Sequence, residues 1–155
     1  MLKPDNLDTL ADFRRQSRLP ISVSEMLLSR ADFAKSLSSG AADYAMIDPT
    51  WVGGISETAR IAHLAQTWNI PATMHDCTGP LTLFAGLHVN AAVPGCCWQE
   101  TVRAQIRTVY QFLIDTPPVI RDGYAELPQG PGLGTRLNPD LFDAKRSGYR
   151  ISGKR

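Results

Sequence analysis

The sequence predicts an α/β fold: a partial (β/α) barrel of about four βα units, followed by an irregular C-terminal tail. Three observations carry that prediction. Short apolar runs alternate with helical stretches over the first two thirds of the chain, the pattern of βαβ units and a parallel sheet. Four of these runs end in an ionisable side chain, Glu25, Asp48, His75 and Glu100, which lie 23, 27 and 25 positions apart. That is close to the repeat of a barrel of about 250 residues in eight units, whose active sites collect at the C-terminal ends of several strands. Finally, no Gly-x-Gly-x-x-Gly turn follows any strand, which disfavours an open doubly wound sheet with a phosphate crevice.

The first helix reads from Leu7, Leu10 and Ala11 at i, i+3 and i+4, with acids in its opening turn and Arg14, Arg15 and Arg18 toward its end. After Pro20, residues 21–24 form a strand that ends at Glu25. Phe33, Ala34 and Leu37 mark a second helix, stopped by Gly40, and residues 44–47 form the second strand, running into Asp48. Gly53-Gly54 turns the chain. Ser56 is the expected N-cap of a third helix, with Ile55, Ala59, Ala62, Ala65 and Trp68 on its buried face. Residues 70–74 lead to His75 as strand three, and Gly79-Pro80 opens a fourth helix that runs to Ala92, with Pro near its first position. Pro94-Gly95 precedes strand four, residues 96–99, which reaches Glu100, and a last helix is expected from Thr101. Pro117-Pro118 then breaks the periodicity, and Asp122-Gly123 is a hairpin signal within a turn-rich stretch. The resulting division is a barrel segment over 1–116, a closing loop segment over 117–142, and a basic, disordered tail over 143–155.

Composition narrows the partners. A chain of 155 residues allows one ordinary domain, and 43% hydrophobic with 20% charged residues excludes a disordered or coiled-coil chain. A net charge of +1 supplies no bulk attraction to nucleic acid or to an anionic membrane. No apolar run approaches the roughly 20 residues of a membrane span, and the N-terminus has no signal or transit pattern, so a cytoplasmic location is expected. Three cysteines, two of them adjacent and none in a CxxC, are expected to be buried small apolar residues. The Gly130-Pro131-Gly132-Leu133-Gly134 run lacks the Lys-Ser/Thr pair of a phosphate cradle.

His75 and Asp48 end successive strands, so they are expected to be neighbours across the barrel mouth, with Asp48 orienting the imidazole as a general base. His63 and His88 lie on helices and are read as hydrogen-bonded core residues. A carboxyl at such a mouth, Glu25 or Glu100, suits either an oxygen ligand for Mg²⁺ or a hydrogen-bonding acid. Cys77 is disfavoured as a nucleophile, because adjacent side chains diverge in a strand-to-loop turn. Zinc at His75, Cys77 and Glu100 is disfavoured for want of further ligands at zinc spacing.

With these residues in place, the sequence resembles the C-terminal half of the enolase superfamily, in its mandelate racemase and muconate lactonizing enzyme branch. LPISVSE resembles the fifth-strand segment whose Glu, here Glu25, is a magnesium ligand. AMIDPTWVGGISE resembles the sixth-strand segment with the dyad aspartate, Asp48, and IPATMHDCTGP the seventh-strand segment with the catalytic histidine, His75. WQETVRA resembles the segment of the eighth-strand acid, Glu100, and DGYAELPQGPGLG the closing loop. The likeness covers about residues 4 to 142, with Ser24-Glu25 where the family usually has Gly-Glu.

The resemblance implies a Mg²⁺-dependent enzyme that removes the proton α to a carboxylate, and the HDCTGP context is most like acid-sugar (aldonate) dehydratases, hydro-lyases that eliminate water. Racemisation or cycloisomerisation is the alternative within the family. It also implies that a capping α+β domain, a lysine on the second strand and metal carboxylates on the third and fourth lie outside this chain. Met1 would then fall inside a longer protein, a homo-oligomer acting on a small sugar acid, and the chain alone would be inactive. A non-catalytic half-barrel that self-associates is the alternative from a different class.

Overall fold

The computed structural model describes residues 5–143 and 148. Side chains cap the first two helices, and glycines at positive φ precede the next two. Asn6 accepts from the Thr9 N–H and opens α1 (Leu7–Gln16), which buries Leu10 and Ala11. Arg14 of this helix pairs with Asp43, Nε to Oδ1 at 2.8 Å, and Asp43 Oδ2 accepts the Ile21 N–H at 2.8 Å. One carboxylate thereby ties α1 to the chain entering the first strand, β1 (Ser22–Val23). Ser29 caps α2 (Arg30–Ser38), and Gly40, at φ +72°, turns the chain toward β2 (Tyr44–Ile47). There follow α3 (Ile55–Gln66), β3 (Ala72–Met74), α4 (Pro80–Ala92) and β4 (Cys96–Gln99). The N-cap of α3 is Gly54, not Ser56: the left-handed φ of +102° and +109° at Gly53 and Gly54 lets the helix begin two residues sooner than a serine cap would allow.

The four strands are parallel and lie in the order β1-β2-β3-β4. Sequential order with a helix in every crossover is the arrangement of consecutive βα units of a barrel. Val23, Ala45, Ile47, Ala72 and Met74 bury their side chains against Phe33, Leu37, Ile61, Ala62, Ala65 and Val89 of the helices. In α3 the buried face is Thr58, Ile61, Ala62 and Ala65, whereas Ile55 and Trp68 at its ends are exposed. On the other face of the sheet the Tyr44 and Trp98 rings lie 4.9 Å apart, and Trp98 is 61% exposed.

The last helix begins at Arg103 and not at Thr101. It runs as α5 (Arg103–Gln105), a π-helical turn (Ile106–Tyr110) and α6 (Gln111–Leu113). Tyr110 packs with Leu83 and Leu87 of α4 in a small second core, against which Ile106 and Ala125 rest. The closing segment carries more order than an irregular tail. Asp115 Oδ1 accepts the Arg136 N–H at 3.0 Å, and Ile114 bridges Leu137. Between them Asp122-Gly123, both at positive φ, turn the hairpin β5 (Ile120–Arg121) and β6 (Tyr124–Ala125). The basic tail expected over 143–155 lies, apart from Asp143 and Gly148, outside the described residues. Among the described residues no helix is long and apolar enough to cross a membrane.

Candidate active site

All four strands run the same way, so their following residues gather at one edge of the sheet. The sheet ladder continues one residue past β3 and β4: the His75 N–H donates to the Ile47 carbonyl at 2.9 Å and the Glu100 N–H to the Met74 carbonyl at 2.8 Å. Backbone pairing thus sets where both side chains start.

Asp48, fully buried, is held first by its own loop. Its Oδ1 accepts the N–H groups of Thr50 at 2.7 Å and Trp51 at 3.1 Å, an Asx-turn. That leaves Oδ2 facing away from the loop, where it meets His75 Nδ1 at 2.8 Å and accepts from Thr78 Oγ1 at 2.6 Å. An ionised carboxylate only accepts, so Nδ1 carries the proton and the lone pair of the neutral imidazole sits on Nε2. Nε2 lies 3.6 Å from Glu100 Oε2 and is hydrogen-bonded to the Cys77 thiol, Sγ to Nε2 at 3.4 Å. The Trp51 ring, 6.2 Å from the imidazole between centroids, flanks it. A ring with one nitrogen fixed by a buried carboxylate and the other meeting only the weak Cys77 thiol can act as a general base once a substrate displaces that contact.

Of the four residues expected to carry chemistry, the fold joins Asp48, His75 and Glu100 around one imidazole, while Glu25 makes no hydrogen bond or ion pair with them among the described residues. Glu25 is half-buried just beyond β1, and among the described residues its one hydrogen bond comes from Ser24 Oγ at 3.4 Å. As a hard oxygen donor with free lone pairs it fits one corner of a Mg²⁺ coordination sphere. No group of three or more His, Cys, Asp or Glu side chains among the described residues could hold a metal ion. The donor set here is therefore one ligand, not a site.

The thiols depart from expectation. Cys77 and Cys97 are exposed and Cys96 is intermediate, so none is a buried core residue. Cys77 also does not diverge from His75, since positions two apart in extended chain lie on one side and its Sγ reaches Nε2. Desolvation and then the charges of Glu100, Asp48, Asp76 and Glu25 push its pKa up, which disfavours the nucleophilic thiolate. Alkylation of Cys77 by iodoacetamide, followed by peptide mass spectrometry, is expected to keep accelerating above the ordinary cysteine value of about 8.5. A rate that levels off below that value would contradict this. Burial likewise pushes Cys96 up, to about 11. Of the two helix histidines, His88 is half-buried and bonded to the Leu133 carbonyl at 3.1 Å, as a structural residue should be, but His63 is exposed.

Thr78, Asp76 and Tyr110 join this hydrogen-bonded group without having been singled out from the sequence. Thr78 had a local signal, a hydroxyl residue three positions after His75 in a turn. Tyr110 had none, because its partner lies 34 positions away.

Comparison with known proteins places the fold. Residues 1–141 match the enolase C-terminal domain-like family. The chain is 31% identical, over 91% of its length, to D-xylonate dehydratase of Haloferax volcanii, and spans 34% of that enzyme. Among solved structures it is similar to an enolase protein from Sargasso Sea environmental sequencing, at a TM-score of 0.87 and 43% identity, covering 99% of this chain and 41% of that one. It is also similar to an enolase of the mandelate racemase subgroup from Agrobacterium tumefaciens, at a TM-score of 0.83 and 41% identity, covering 90% of this chain and 38% of that one. The chain thus spans between a third and a half of the length of these three relatives.

Proposed function

From the premise that this chain belongs to the enolase C-terminal domain-like family, we propose that it supplies the base-bearing part of a sugar-acid dehydratase. The observation that carries this reading is the buried Asp48 carboxylate on His75 Nδ1 at 2.8 Å, with Nε2 turned toward Glu100 and the Cys77 thiol.

In the proposed reaction His75 Nε2 takes the proton α to the substrate carboxylate. Asp48 stabilises the imidazolium that forms, and its hydrogen bonds to Thr50, Trp51 and Thr78 keep it from turning away. Glu100 Oε2 is occupied by the Asp76 N–H. Its other oxygen is left for the substrate oxygen on which charge develops, as a donor when it carries a proton. Loss of the β-hydroxyl then needs one proton so that it leaves as water, and the imidazolium of His75 and the carboxyl of Glu100 are the carriers this chain offers. The enol that results rearranges to a 2-keto-3-deoxy acid. Mg²⁺, when bound, would neutralise charge on the substrate carboxylate, and Glu25 would be one of its oxygen ligands.

The reading assigns the lysine and the other metal carboxylates to barrel strands beyond these four, with a capping domain over the mouth and a homo-oligomeric assembly. Three free thiols suit a cytoplasmic setting. Because one carboxylate does not make a Mg²⁺ site, the 155-residue chain is expected to show no stoichiometric Mg²⁺ binding in the micromolar range by calorimetry, and tight binding would contradict the assignment of Glu25 as a lone ligand.

The test of function is a panel of aldonates incubated in D₂O with the chain joined to a complementary barrel half. Wash-out of the α-proton together with formation of a 2-keto acid supports the dehydratase. Wash-out without loss of water would replace it with a racemase, and no exchange at all would overturn proton abstraction.

A further inference from the structure

Behind His75 and Glu100 lies a polar group that the mechanism leaves unused. Asp76 is fully buried, and it meets the end of β4 twice in opposite senses. Its backbone N–H donates to Glu100 Oε2 at 3.1 Å, and its Oδ2 accepts the Val102 N–H at 3.2 Å. Its other oxygen, Oδ1, accepts from the Tyr110 hydroxyl at 2.6 Å. Tyr110 is itself buried and closes the π-helical turn, a feature that recurs at functional sites. Burial pushes the Asp76 carboxyl up and Glu100 adds to this, while the bonds from Tyr110 and Val102 pull it down. A carboxyl so placed is costly to keep unless its partners hold it.

Two bonds of opposite sense between the segments after β3 and β4 fix how those segments slide and rotate past each other. The Tyr110 hydroxyl then fixes the rotamer of the carboxyl that makes one of them. Glu100 needs such support. Its side chain is 42% exposed, its 3.6 Å approach to Nε2 is too long for a hydrogen bond, and among the described residues the Asp76 N–H is the one hydrogen bond its carboxylate receives.

We propose that Asp76 and Tyr110 are positioning residues that together hold the Glu100 carboxylate against the Nε2 edge of His75. The catalytic consequence rests on the proposed function; the positioning itself does not.

The test labels the histidines of the 155-residue chain with ¹⁵N and follows the His75 ring nitrogens at one pH. Tyr110→Phe removes the hydroxyl and almost no volume, and circular dichroism checks the fold. It is expected to shift the Nε2 resonance in the native background and to leave it unmoved in a Glu100→Ala background, because the effect passes through that carboxylate. Equal shifts in both backgrounds would mean a general structural effect, and no shift in either would mean no coupling; each overturns the proposal. Asp76→Asn retains one acceptor oxygen for two donors, so it should shift Nε2 in the same way, with Tyr110→Phe adding nothing on top. Additive shifts would count against a shared path, and should Asp76→Asn fail to fold, Tyr110→Phe in its two backgrounds decides the matter. In the completed enzyme Tyr110→Phe should lower kcat for α-proton exchange about tenfold with KM unchanged, the scale of a misplaced reacting group. Absence of any dehydratase activity would bear on the proposed function and leave the resonance coupling standing. Loss of the coupling with activity intact would remove the positioning role alone.

Discussion

His75→Asn, in the chain joined to its complementary barrel half, is expected to abolish α-proton exchange from a sugar acid while leaving the fold intact. A positioned general base supplies roughly 10²–10⁴ in rate, and an asparagine has no basic nitrogen to replace it. The fold survives because the new amide can still donate to Asp48 Oδ2, so the buried carboxylate keeps a partner where the imidazole stood. Asp48→Asn should lose less. Its oxygen can still accept from Thr50 and Trp51, but the amide N–H would face Nδ1 and favour the tautomer whose Nε2 carries the proton. Tautomers interconvert, so a fraction of active base remains. Proton wash-out in D₂O, followed by NMR, measures both variants. Full exchange by the His75 variant would remove the dyad from the mechanism.

The second large effect is a gain. The chain alone is expected to be inactive, and mixing it with a separately produced family N-terminal half should restore dehydration. The reason begins with the sheet: β1 and β4 each pair on one side within the four-stranded sheet, and outer strand edges with free N–H and C=O groups recruit another chain. Tyr44 and Trp98 add an aromatic pair on the face away from the helices, where further strands would cover it. Chemistry follows the same line, since Glu25 is a lone metal ligand and losing even one electrostatic donor costs about 10²–10³ in rate. Sedimentation should show a complex, tryptophan fluorescence should shift to the blue as Trp98 is covered, and the keto acid should form only in the mixture. An active, monodisperse monomer of 17.0 kDa without a partner would overturn this expectation.

Much of the site was legible because it is written in local chemistry. The strand ends could be read at Glu25, Asp48, His75 and Glu100 because each closes a short apolar run before a turn, and β2 and β4 have the bounds expected of them. Near-even spacing then set all four on one edge, since parallel strands joined by helices have no other arrangement. The helix termini were less legible. Gly54 displaced Ser56 as the N-cap of α3 because the paired left-handed glycines, not the nearest hydroxyl, set where the turn closes.

Alone, the sequence determined the order of elements, the parallel sheet and three of the residues that meet at its edge, since periodicity and turn chemistry act over a few positions. Tertiary structure decided the rest. It set Cys77 against His75, gave Asp48 a third anchor in Thr78, left Glu25 without a hydrogen bond or ion pair to the other three among the described residues, and joined Asp76 to Tyr110 across 34 positions. Beyond a strand the alternation of side chains ends, so direction in the loops follows from hydrogen bonds that only the folded chain brings within reach. A pair as distant as Asp76 and Tyr110 leaves no periodic trace, because what joins them is the packing of a π-helical turn against α4, not any spacing along the chain.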